Sequence, residues 1–430
     1  MDSKIKTIHH AYQAGKTSCV EFIREILSLL NANTPDTVHL LFEDYALEQA
    51  QKVDQKIKSG ETIGLLEGIP FGISDTILLQ NSITSGNSSF LNQYVAPYTA
   101  TAVNQLIKAG AIPVVKEKGD CFGHGHRNSG AIHVANGFTT FSVGGDIGCS
   151  ILQLADRCNV FGMKPTYGRI SRFGLMADAS SLDCIGMLAT SLEDIRILLN
   201  TMSGKDPHDM TTYASADIPE NVFNSGEIKT VGYYKNDLDD DFLDVPLKND
   251  FQKMLDTLSL HKITVVPLDF FDLDVVSAAL YVLEMAETSS NLARLDGSLY
   301  GVRSTNSADK ESYLKMRADN FSEETKLRII GGSLASSRGF EDIYRKAKEM
   351  QNAVIARINS DFQSVDVILS PVCRDARPCE CRDARPCVST LGGLPSLTVP
   401  CAKLNGIKII ANKRREDRIL HAAHVLKEFL

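Results

Sequence analysis

Apolar residues recur every three or four positions through the first 60 residues. The spacing runs through SKIKTIHHAYQAGK, through VEFIREILSLLN after Ser18, and through FEDYALEQAQKVDQKIKSG, which ends at Gly60. A period near 3.6 is typical of helices with one buried face, and serine is a favoured residue at helix N-termini. The pattern predicts an N-terminal helical segment over residues 1–60.

From Ile63 onward the pattern changes to short apolar runs bounded by glycine and proline. The runs IGLLEGIPFGI, AIPVVKE and FTTFSVGG are typical of strands, and helical patterns alternate with them. One helix, LEDIRILLNTM, opens with Ser191 and Asp194 as a predicted capping box. The segments TVGYY and KITVVPLDF flank a helical stretch, which predicts two buried parallel strands of one sheet.

This alternation predicts an α/β fold. Further strands are expected at VDVILSP, SLTVPC and IKIIA, and a last helix at EDRILHAAHVLKEFL. Because no shift in composition marks a boundary, we expect a single domain over residues 1–430. It would consist of the helical segment 1–60 and an α/β core over residues 61–430.

The charge and composition of the chain exclude several classes of protein. The 430 residues include 45 Lys and Arg against 53 Asp and Glu, a formal net charge of −8, so we expect no direct nucleic-acid partner. The N-terminus lacks the apolar core of a signal peptide. No apolar run reaches the length of roughly 20 residues that a membrane helix needs. These features predict a cytoplasmic protein with no membrane partner, and the acidic stretch Asp237–Asp244 predicts a solvated loop.

The ten cysteines predict free thiols rather than disulfides, because no secretory signal accompanies them. Four of them, Cys373, Cys379, Cys381 and Cys387, lie in the tandem repeat CRDARPCE-CRDARPC. Four thiols within 15 residues make the repeat a candidate metal site. Their spacing fits no standard zinc site, however, so we interpret the repeat as a duplicated surface loop with reduced thiols.

A second group of residues with metal-ligand side chains is Cys121, His124 and His126. Their spacing does not fit a zinc pattern either. The sequence therefore predicts no metal.

The stretch from Asn136 to Leu175 carries the clearest candidate chemistry. Gly144, Gly145 and Gly148 follow an apolar strand, and Ser150 comes directly after them. Glycine allows backbone N–H groups to approach one point closely. A serine in that setting could attack a carbonyl while the N–H groups stabilise the oxyanion. The spacing alone favours the alternative of a glycine-rich turn with an incidental serine.

The motifs GGDIGCS and GMKPTYGRISRFGLMADASSLDCIG closely resemble the amidase signature family, and in detail the A subunits of glutamyl-tRNA(Gln) amidotransferases. The segments LEGIPFGISD, GKDPHDMTT, AETSSNLARLDGSLYGVRS, VDVILSP and LGGLPSLTVPC follow in family order. The resemblance covers nearly the whole chain. It implies one domain with a mixed, twisted β-sheet sandwiched by helices.

The resemblance also implies an activity. Members of the family cleave a carboxamide C–N bond through an acyl-enzyme and need no metal or organic cofactor. The expected ligand is a small amide such as glutamine, and the expected partners resemble the B and C subunits of the amidotransferase.

Residue by residue, the resemblance places the nucleophile at Ser150. The backbone of Ile147, Gly148 and Cys149 matches the family's oxyanion hole, with Cys149 in place of a glycine.

Two of the three catalytic positions are changed. The family's lysine base falls at Ser74, and its bridging serine falls at His126. Because a serine hydroxyl needs a base to become nucleophilic, the resemblance implies altered and weakened catalysis. An imidazole titrates near neutral pH, so His126 is a candidate base for Ser150. The alternative is a polar loop whose histidines face solvent or bond locally.

Two further positions match substrate-binding residues of the family. Arg328, in ETKLRIIGG, matches an arginine that grips the glutamine carboxylate, a pairing that the planar guanidinium favours; a surface arginine on a helix is the alternative. Asp383, inside the cysteine repeat, matches an aspartate that holds the α-amino group. Two functions therefore stay open: an amidase that uses Ser150, and a catalytically inactive binding or scaffold subunit with the same fold.

Overall fold

The computed structural model describes residues 2–33, 36–124, 129–147, 150–224, 226–239, 245–302, 310–372, 385–401 and 406–427. The helices of these residues are α1 (Lys4–Gln13), α2 (Cys19–Asn33), α3 (Glu43–Lys58), α4 (Thr101–Lys108), α5 (Ser129–Ala135), α6 (Ser150–Arg157), α7 (Leu192–Met202), α8 (Asn236–Asp239), α9 (Val245–Leu260), α10 (Leu273–Leu292), α11 (Lys310–Asn320), α12 (Glu323–Ala335), α13 (Glu341–Asp361), α14 (Arg385–Leu391) and α15 (Glu416–Lys427). The strands are β1 (Val38–Leu41), β2 (Pro70–Ser74), β3 (Ile112–Glu117), β4 (Phe141–Asp146), β5 (Phe161–Lys164), β6 (Cys184–Ala189), β7 (Thr230–Tyr234), β8 (Thr264–Leu268), β9 (Val367–Pro371), β10 (Ser396–Val399) and β11 (Ile407–Ile410).

The strands join in one mixed sheet of order β1-β3-β2-β4-β6-β5-β10-β11-β9-β7-β8. Strand β2 pairs in parallel with both β3 and β4, whereas β4 pairs antiparallel with β6. Phe71 of β2 lies opposite Phe141 of β4, and their rings stack with centroids 5.0 Å apart. The predicted α/β fold with a mixed sheet between helices is confirmed, whereas the single-domain organisation stays a prediction. Among the described helices, none has the length and apolar character needed to cross a bilayer.

The described residues of the N-terminal segment form helices α1, α2 and α3 and the short strand β1. Ser18 caps α2 as predicted: its Oγ accepts the Glu21 N–H at 3.1 Å, and the Glu21 carboxylate accepts the Ser18 N–H at 3.0 Å. The prediction is wrong for Val38–Leu41, which form strand β1 and pair antiparallel with β3. Four residues that are all partly exposed are too few to show the alternation of a strand in the sequence.

Helix α7 is capped by Ser191 as predicted, with the Ser191 Oγ accepting the Asp194 N–H at 3.0 Å. The Asp194 carboxylate binds another helix, however. It accepts hydrogen bonds from the Ser3 hydroxyl at 2.5 Å and from the Lys4 N–H at 3.1 Å, at the start of α1. This buried carboxylate therefore joins the N-terminal helices to the rest of the structure.

The predicted unit of two parallel strands is confirmed for β7 and β8, which pair in parallel with α9 between them in the chain. The prediction that both strands are buried is wrong for β8, in which Leu268 alone is buried. The reason is that β8 lies at the edge of the sheet. The acidic stretch begins with the short helix α8 and not with a loop, and Asp237 in it is buried.

Helix α6 lies directly against the sheet because two strands carry glycine beneath it. A Cβ atom at Gly162 of β5 would lie 2.7 Å from the Ile151 carbonyl oxygen and 2.6 Å from the Ala155 Cβ. A Cβ atom at Gly186 of β6 would lie 3.1 Å from the Ile151 side chain. The two glycines therefore determine the distance between α6 and the sheet, and with it the position of the first residue of α6, Ser150.

We expect Gly162→Ala to lower the free energy of unfolding by about 1–3 kcal/mol, because α6 must move away from β5 to admit a methyl group. Urea unfolding followed by circular dichroism measures the effect. Gly64→Ala is the matched control, since its nearest neighbours would lie 3.7 and 3.9 Å from the added carbon, at ordinary contact distance. Equal unfolding midpoints for the two variants would contradict the packing argument.

Candidate active site

Ser150 is the first residue of α6, just beyond the end of β4. Its Oγ donates a hydrogen bond to the Gly145 carbonyl oxygen at 3.2 Å, and the side chain is partly buried. Asp146 lies beside it and accepts the Ile151 N–H at 3.1 Å, which caps the helix. A hydroxyl at the positive end of a helix is well placed for chemistry that develops negative charge.

The strand end beneath Ser150 contacts two neighbouring segments. A Cβ atom at Gly145 would lie 3.2 Å from the Leu175 Cδ1 and 3.7 Å from the Thr76 Oγ1. Leu175 and Ile77 form an isolated antiparallel bridge, and the Met176 N–H bonds to the Thr76 carbonyl at 2.8 Å. The segments around Thr76 and Leu175 therefore pack against Gly145, the residue whose carbonyl accepts the Ser150 hydrogen bond.

Ser74 ends strand β2, and its hydroxyl lies 3.0 Å from the Thr76 Oγ1. Thr76 in turn faces Gly145, the residue that accepts the Ser150 hydrogen bond. Within the described part of the chain, neither the Ser74 nor the Ser150 hydroxyl bonds to an amine. Hydroxyl groups thus occupy the Ser74 side of the site.

A buried lysine lies on the neighbouring strand. Lys116 of β3 pairs with Ile73, the residue before Ser74, and its Nζ donates to the Ile77 carbonyl and to the Thr84 Oγ1. Burial lowers the pKa of Lys116 to about 8, and the charge of Asp75, 3.8 Å away, opposes part of that shift. This lysine holds the turn after β2 in place.

Asp75 fixes the other side of the same turn. Its carboxylate accepts the backbone N–H groups of Ser85 and Asn87, both at 3.1 Å, and the Ser85 hydroxyl at 2.5 Å. Because Asp75 and Thr76 follow Ser74 directly, these bonds determine where the Ser74 and Thr76 hydroxyls lie.

His124 is buried and is hydrogen-bonded to residues far away in the chain. Its Nε2 lies 2.8 Å from the Asp178 Oδ1, and its Nδ1 lies 2.9 Å from the Thr325 Oγ1 at the start of α12. The Thr288 hydroxyl of α10 donates to the same Asp178 oxygen. The alternative of histidines that face solvent or bond only locally is therefore wrong for His124.

Electrostatics in this cluster are dominated by carboxylates. Burial raises the pKa of Asp178, but the charge and hydrogen bond of His124 outweigh it, so the pKa lies below its ordinary value. Burial and the neighbouring Asp178 raise the pKa of Asp183 to about 8. Burial likewise raises the pKa of Glu284, and the charge of Arg328 opposes this.

Arg328 lies on α12 with its guanidinium between two carboxylates. It donates to Glu284 of α10 through one of its two terminal nitrogens and to Glu324 through Nε at 3.0 Å. The guanidinium also lies 5.2 Å from the centroid of the Tyr281 ring. The predicted binding of a substrate carboxylate by Arg328 stays a prediction.

Several predicted site residues lie outside the described residues. These are His126, Gly148, Cys149 and Asp383, together with Cys373, Cys379 and Cys381 of the repeat. Ile147, the remaining residue of the predicted oxyanion hole, is described and packs against the apolar cluster that contains Leu391 and Leu394. The structure thus brings together Ser150, Ser74 and Ile147 around the ends of β2 and β4.

Sequence reasoning missed the contacts of Asp178, Glu284 and Thr288. No local pattern marks them, because Asp178 and Thr288 are 110 residues apart in the chain. Lys116 did have a signal, a lone lysine at the end of the apolar run AIPVV.

The family model for amidases matches residues 21–130 and 128–420 of the chain. The A subunit of the glutamyl-tRNA(Gln) amidotransferase from Microcystis aeruginosa is 32% identical over 471 residues, which cover 99% of this chain and 97% of that protein. Two solved structures share the fold. A crystal structure of an amidase has a TM-score of 0.83 at 21% identity and covers 100% of both chains. A 6-aminohexanoate cyclic dimer hydrolase has a TM-score of 0.81 at 18% identity, covering 100% of this chain and 97% of that one.

The lowered pKa of Lys116 predicts a specific pH dependence of stability. Between about pH 8 and 10.4 the unfolded lysine is protonated and the folded one is not, so raising the pH stabilises the folded state. The unfolding free energy of the wild type, relative to Lys116→Met, should rise across this range by on the order of 1–3 kcal/mol. Lys52→Met removes an exposed lysine and should show no such trend. If the difference in unfolding free energy between the wild type and Lys116→Met stays constant over this pH range, the buried amine of Lys116 stays charged.

Proposed function

Because the chain belongs to the amidase signature family, we propose that it hydrolyses the C–N bond of a small carboxamide through Ser150, with altered and slow catalytic machinery. The observation that carries the proposal is the placement of the Ser150 hydroxyl at the N-terminus of α6, held against the end of β4. The fold that the chain shares with amidases supports the substrate class. The change at Ser74 supports the reduced rate.

The proposed reaction has two steps. In the first, the Ser150 oxygen attacks the amide carbonyl, its proton passes to a base, and the C–N bond breaks as the leaving nitrogen takes up that proton and departs as ammonia or an amine. In the second, water attacks the acyl ester, which releases a carboxylic acid and restores the Ser150 hydroxyl. Main-chain N–H groups around residues 147–149 would stabilise the oxyanion in both steps.

The base needs a separate assignment because serine replaces the family's lysine at position 74. We propose His126 as the base, since it falls at the position that contacts the nucleophile in the family. Imidazole accepts a proton near neutral pH. Ser74 and Thr76 would then act as hydrogen-bonding neighbours, since hydroxyls do not titrate in this range.

For the substrate we propose a small primary amide, with glutamine as the expectation from the resemblance. Asp383 would hold its amino group and Arg328 its carboxylate. Glu284 and Glu324 compete with that carboxylate for Arg328. Partner subunits are part of the proposal because relatives are named as A subunits of an amidotransferase.

A second candidate function is that of a catalytically inactive scaffold in a protein complex. The observation that favours it is a row of exposed apolar side chains on α12, formed by Leu327, Ile330 and Leu334 with exposed fractions of 59, 65 and 48%. Residues spaced three and four apart lie on one face of a helix. Apolar surface of this kind is typical of contacts with another protein.

Labelling with a fluorophosphonate probe separates the two functions. We expect mass spectrometry to find an adduct on Ser150, and ammonia release from simple amides to fall to background in Ser150→Ala. Ser142→Ala is the control, because that buried serine donates to Glu117 at 2.5 Å and lies within β4. Equal background rates in the wild type and Ser150→Ala, with no adduct between pH 6 and 10, would favour the scaffold.

Restoring the family residues tests the assignment of Ser74 and His126. Ser74→Lys alone should recover little activity, because the bridging hydroxyl is still absent. The double variant Ser74→Lys/His126→Ser should raise amide hydrolysis by about 10²–10³-fold, since triad residues act as a unit. His126→Ser alone is the third variant in the comparison, and it should lower the rate of amide hydrolysis. Strong recovery by Ser74→Lys alone would show that His126 is not at the bridging position.

A further inference from the structure

The apolar row on α12, formed by Leu327, Ile330 and Leu334, lies between two charged residues. Glu323 comes four residues before Leu327, and Arg338 comes four residues after Leu334. Because residues three or four apart share one face of a helix, Glu323 continues the apolar row at the first turn of α12. Arg338 lies just after the end of the helix. The outer face of α12 therefore has an acidic start, an apolar middle and a basic end.

The opposite face of α12 is already packed against α10. Thr325 and Ala335 are buried, and Gly332 lies directly against the Met285 backbone of α10. The helix cannot turn the apolar row inward without losing these contacts. A surface that covers the apolar row must therefore approach from the solvent side.

The spacing of the five residues on the outer face is the same from both ends. Leu327 and Leu334 lie symmetrically about a point next to Ile330. Glu323 and Arg338 lie symmetrically about the same point. If two copies of α12 pack antiparallel about a two-fold axis there, Leu327 contacts the partner's Leu334, and Glu323 lies opposite the partner's Arg338. Each contact then occurs twice, because a two-fold interface uses the same surface on both copies.

Both charged residues are available for this pairing. The Arg338 side chain forms no hydrogen bond or ion pair with the described residues. The Glu323 side chain is 88% exposed and pairs with Lys326 of the same helix. Exposed ion pairs of this kind contribute little to stability, so Glu323 can also bind a second cation. Antiparallel packing is favourable for the helix dipoles as well, because the positive end of each helix lies beside the negative end of the other.

Helix α12 alone is small for a stable interface. Its 13 residues extend about 20 Å, whereas a typical stable interface buries about 800 Å² on each partner. Phe340 and Ile343 follow in the chain and are 43 and 41% exposed, so they extend the apolar surface beyond the helix. A surface of this size favours a dimer whose Kd lies in the micromolar range.

We propose that this chain forms a two-fold homodimer in which the outer faces of α12 pack antiparallel. The apolar row forms the centre of the interface, and Glu323 pairs with the partner's Arg338 at each end. The occupant is a second copy because the surface is complementary to itself in both charge and apolar spacing. The dimer does not depend on the proposed amide hydrolysis, so Ser150→Ala should dimerise as the wild type does.

Sedimentation velocity over about 1–100 µM protein measures the dimer, and we expect the wild type to change from monomer to dimer across this range. Ile330→Asp should raise the Kd by more than about tenfold, because it buries two unpaired carboxylates at the centre of the interface. Leu260→Asp is the matched control, since Leu260 is 83% exposed at the end of α9, which packs against the edge strand β8. It should dimerise with the wild-type Kd.

Exchanging the charges tests the antiparallel pairing. Glu323→Arg and Arg338→Glu each place like charges opposite one another at both ends, so each variant alone should dimerise about tenfold more weakly than the wild type. An equimolar mixture of the two variants should form a heterodimer with a Kd near that of the wild type, because opposite charges then meet at both ends. The double variant Glu323→Arg/Arg338→Glu should also recover the homodimer. High salt should reduce these differences, since it screens exposed charges.

Three results would overturn the proposal. A wild-type chain that stays monomeric at about 100 µM leaves the apolar row to a different protein or to another segment of this chain. Equal Kd values for Ile330→Asp and Leu260→Asp place the dimer contact elsewhere. A mixture of the two charge variants that dimerises no better than either variant alone excludes the antiparallel pairing. If circular dichroism shows that Ile330→Asp does not fold, the charge variants decide.

Discussion

The close contact between helix α6 and strands β5 and β6 determines the geometry of the candidate site. Gly162 and Gly186 let Ile151 lie directly on the sheet, and Asp146 fixes the first turn by accepting the Ile151 N–H. Ser150 therefore has little freedom along the helix axis. Its hydroxyl meets the end of β4 because the backbone beneath the helix carries no side chains at these two places. The position of the Ser150 hydroxyl is thus set by packing and not by a local turn alone.

Hydroxyl groups lie on the Ser74 side of the candidate site. Among the described residues, the Ser74 and Thr76 hydroxyls lie 3.0 Å apart, and the Ser150 hydroxyl donates to the Gly145 carbonyl. Hydroxyls can orient one another, but a serine needs a base before it attacks an amide. In the proposed reaction the base must therefore come from outside these three residues, and main-chain N–H groups would stabilise the oxyanion.

Much of the fold could be predicted from the sequence because its elements carry strong local patterns. The α/β class, the parallel pair β7 and β8, and the cap at Ser18 follow from periodicity and from residue types at helix ends. Strand β1 and the exposed edge position of β8 do not, since both depend on which strand lies next to them. In the site, Ser150 and Ser74 could be placed from motifs. Most partners of Asp178 and Arg328 could not, because they lie 44 or more residues away in the chain; the exceptions are Asp183 and Glu324.

Strand β1 makes the N-terminal segment part of the sheet. Val38–Leu41 pair along β3, and the apolar residues of α2 and α3 pack over the same strand. A chain that began at residue 61 would keep the pairing of β3 with β2 but leave the hydrogen-bonding groups of β3 that face β1 unpaired. An open strand edge of this kind recruits other chains. Shortened versions of the protein would therefore tend to aggregate, even though every residue named around Ser150 would still be present.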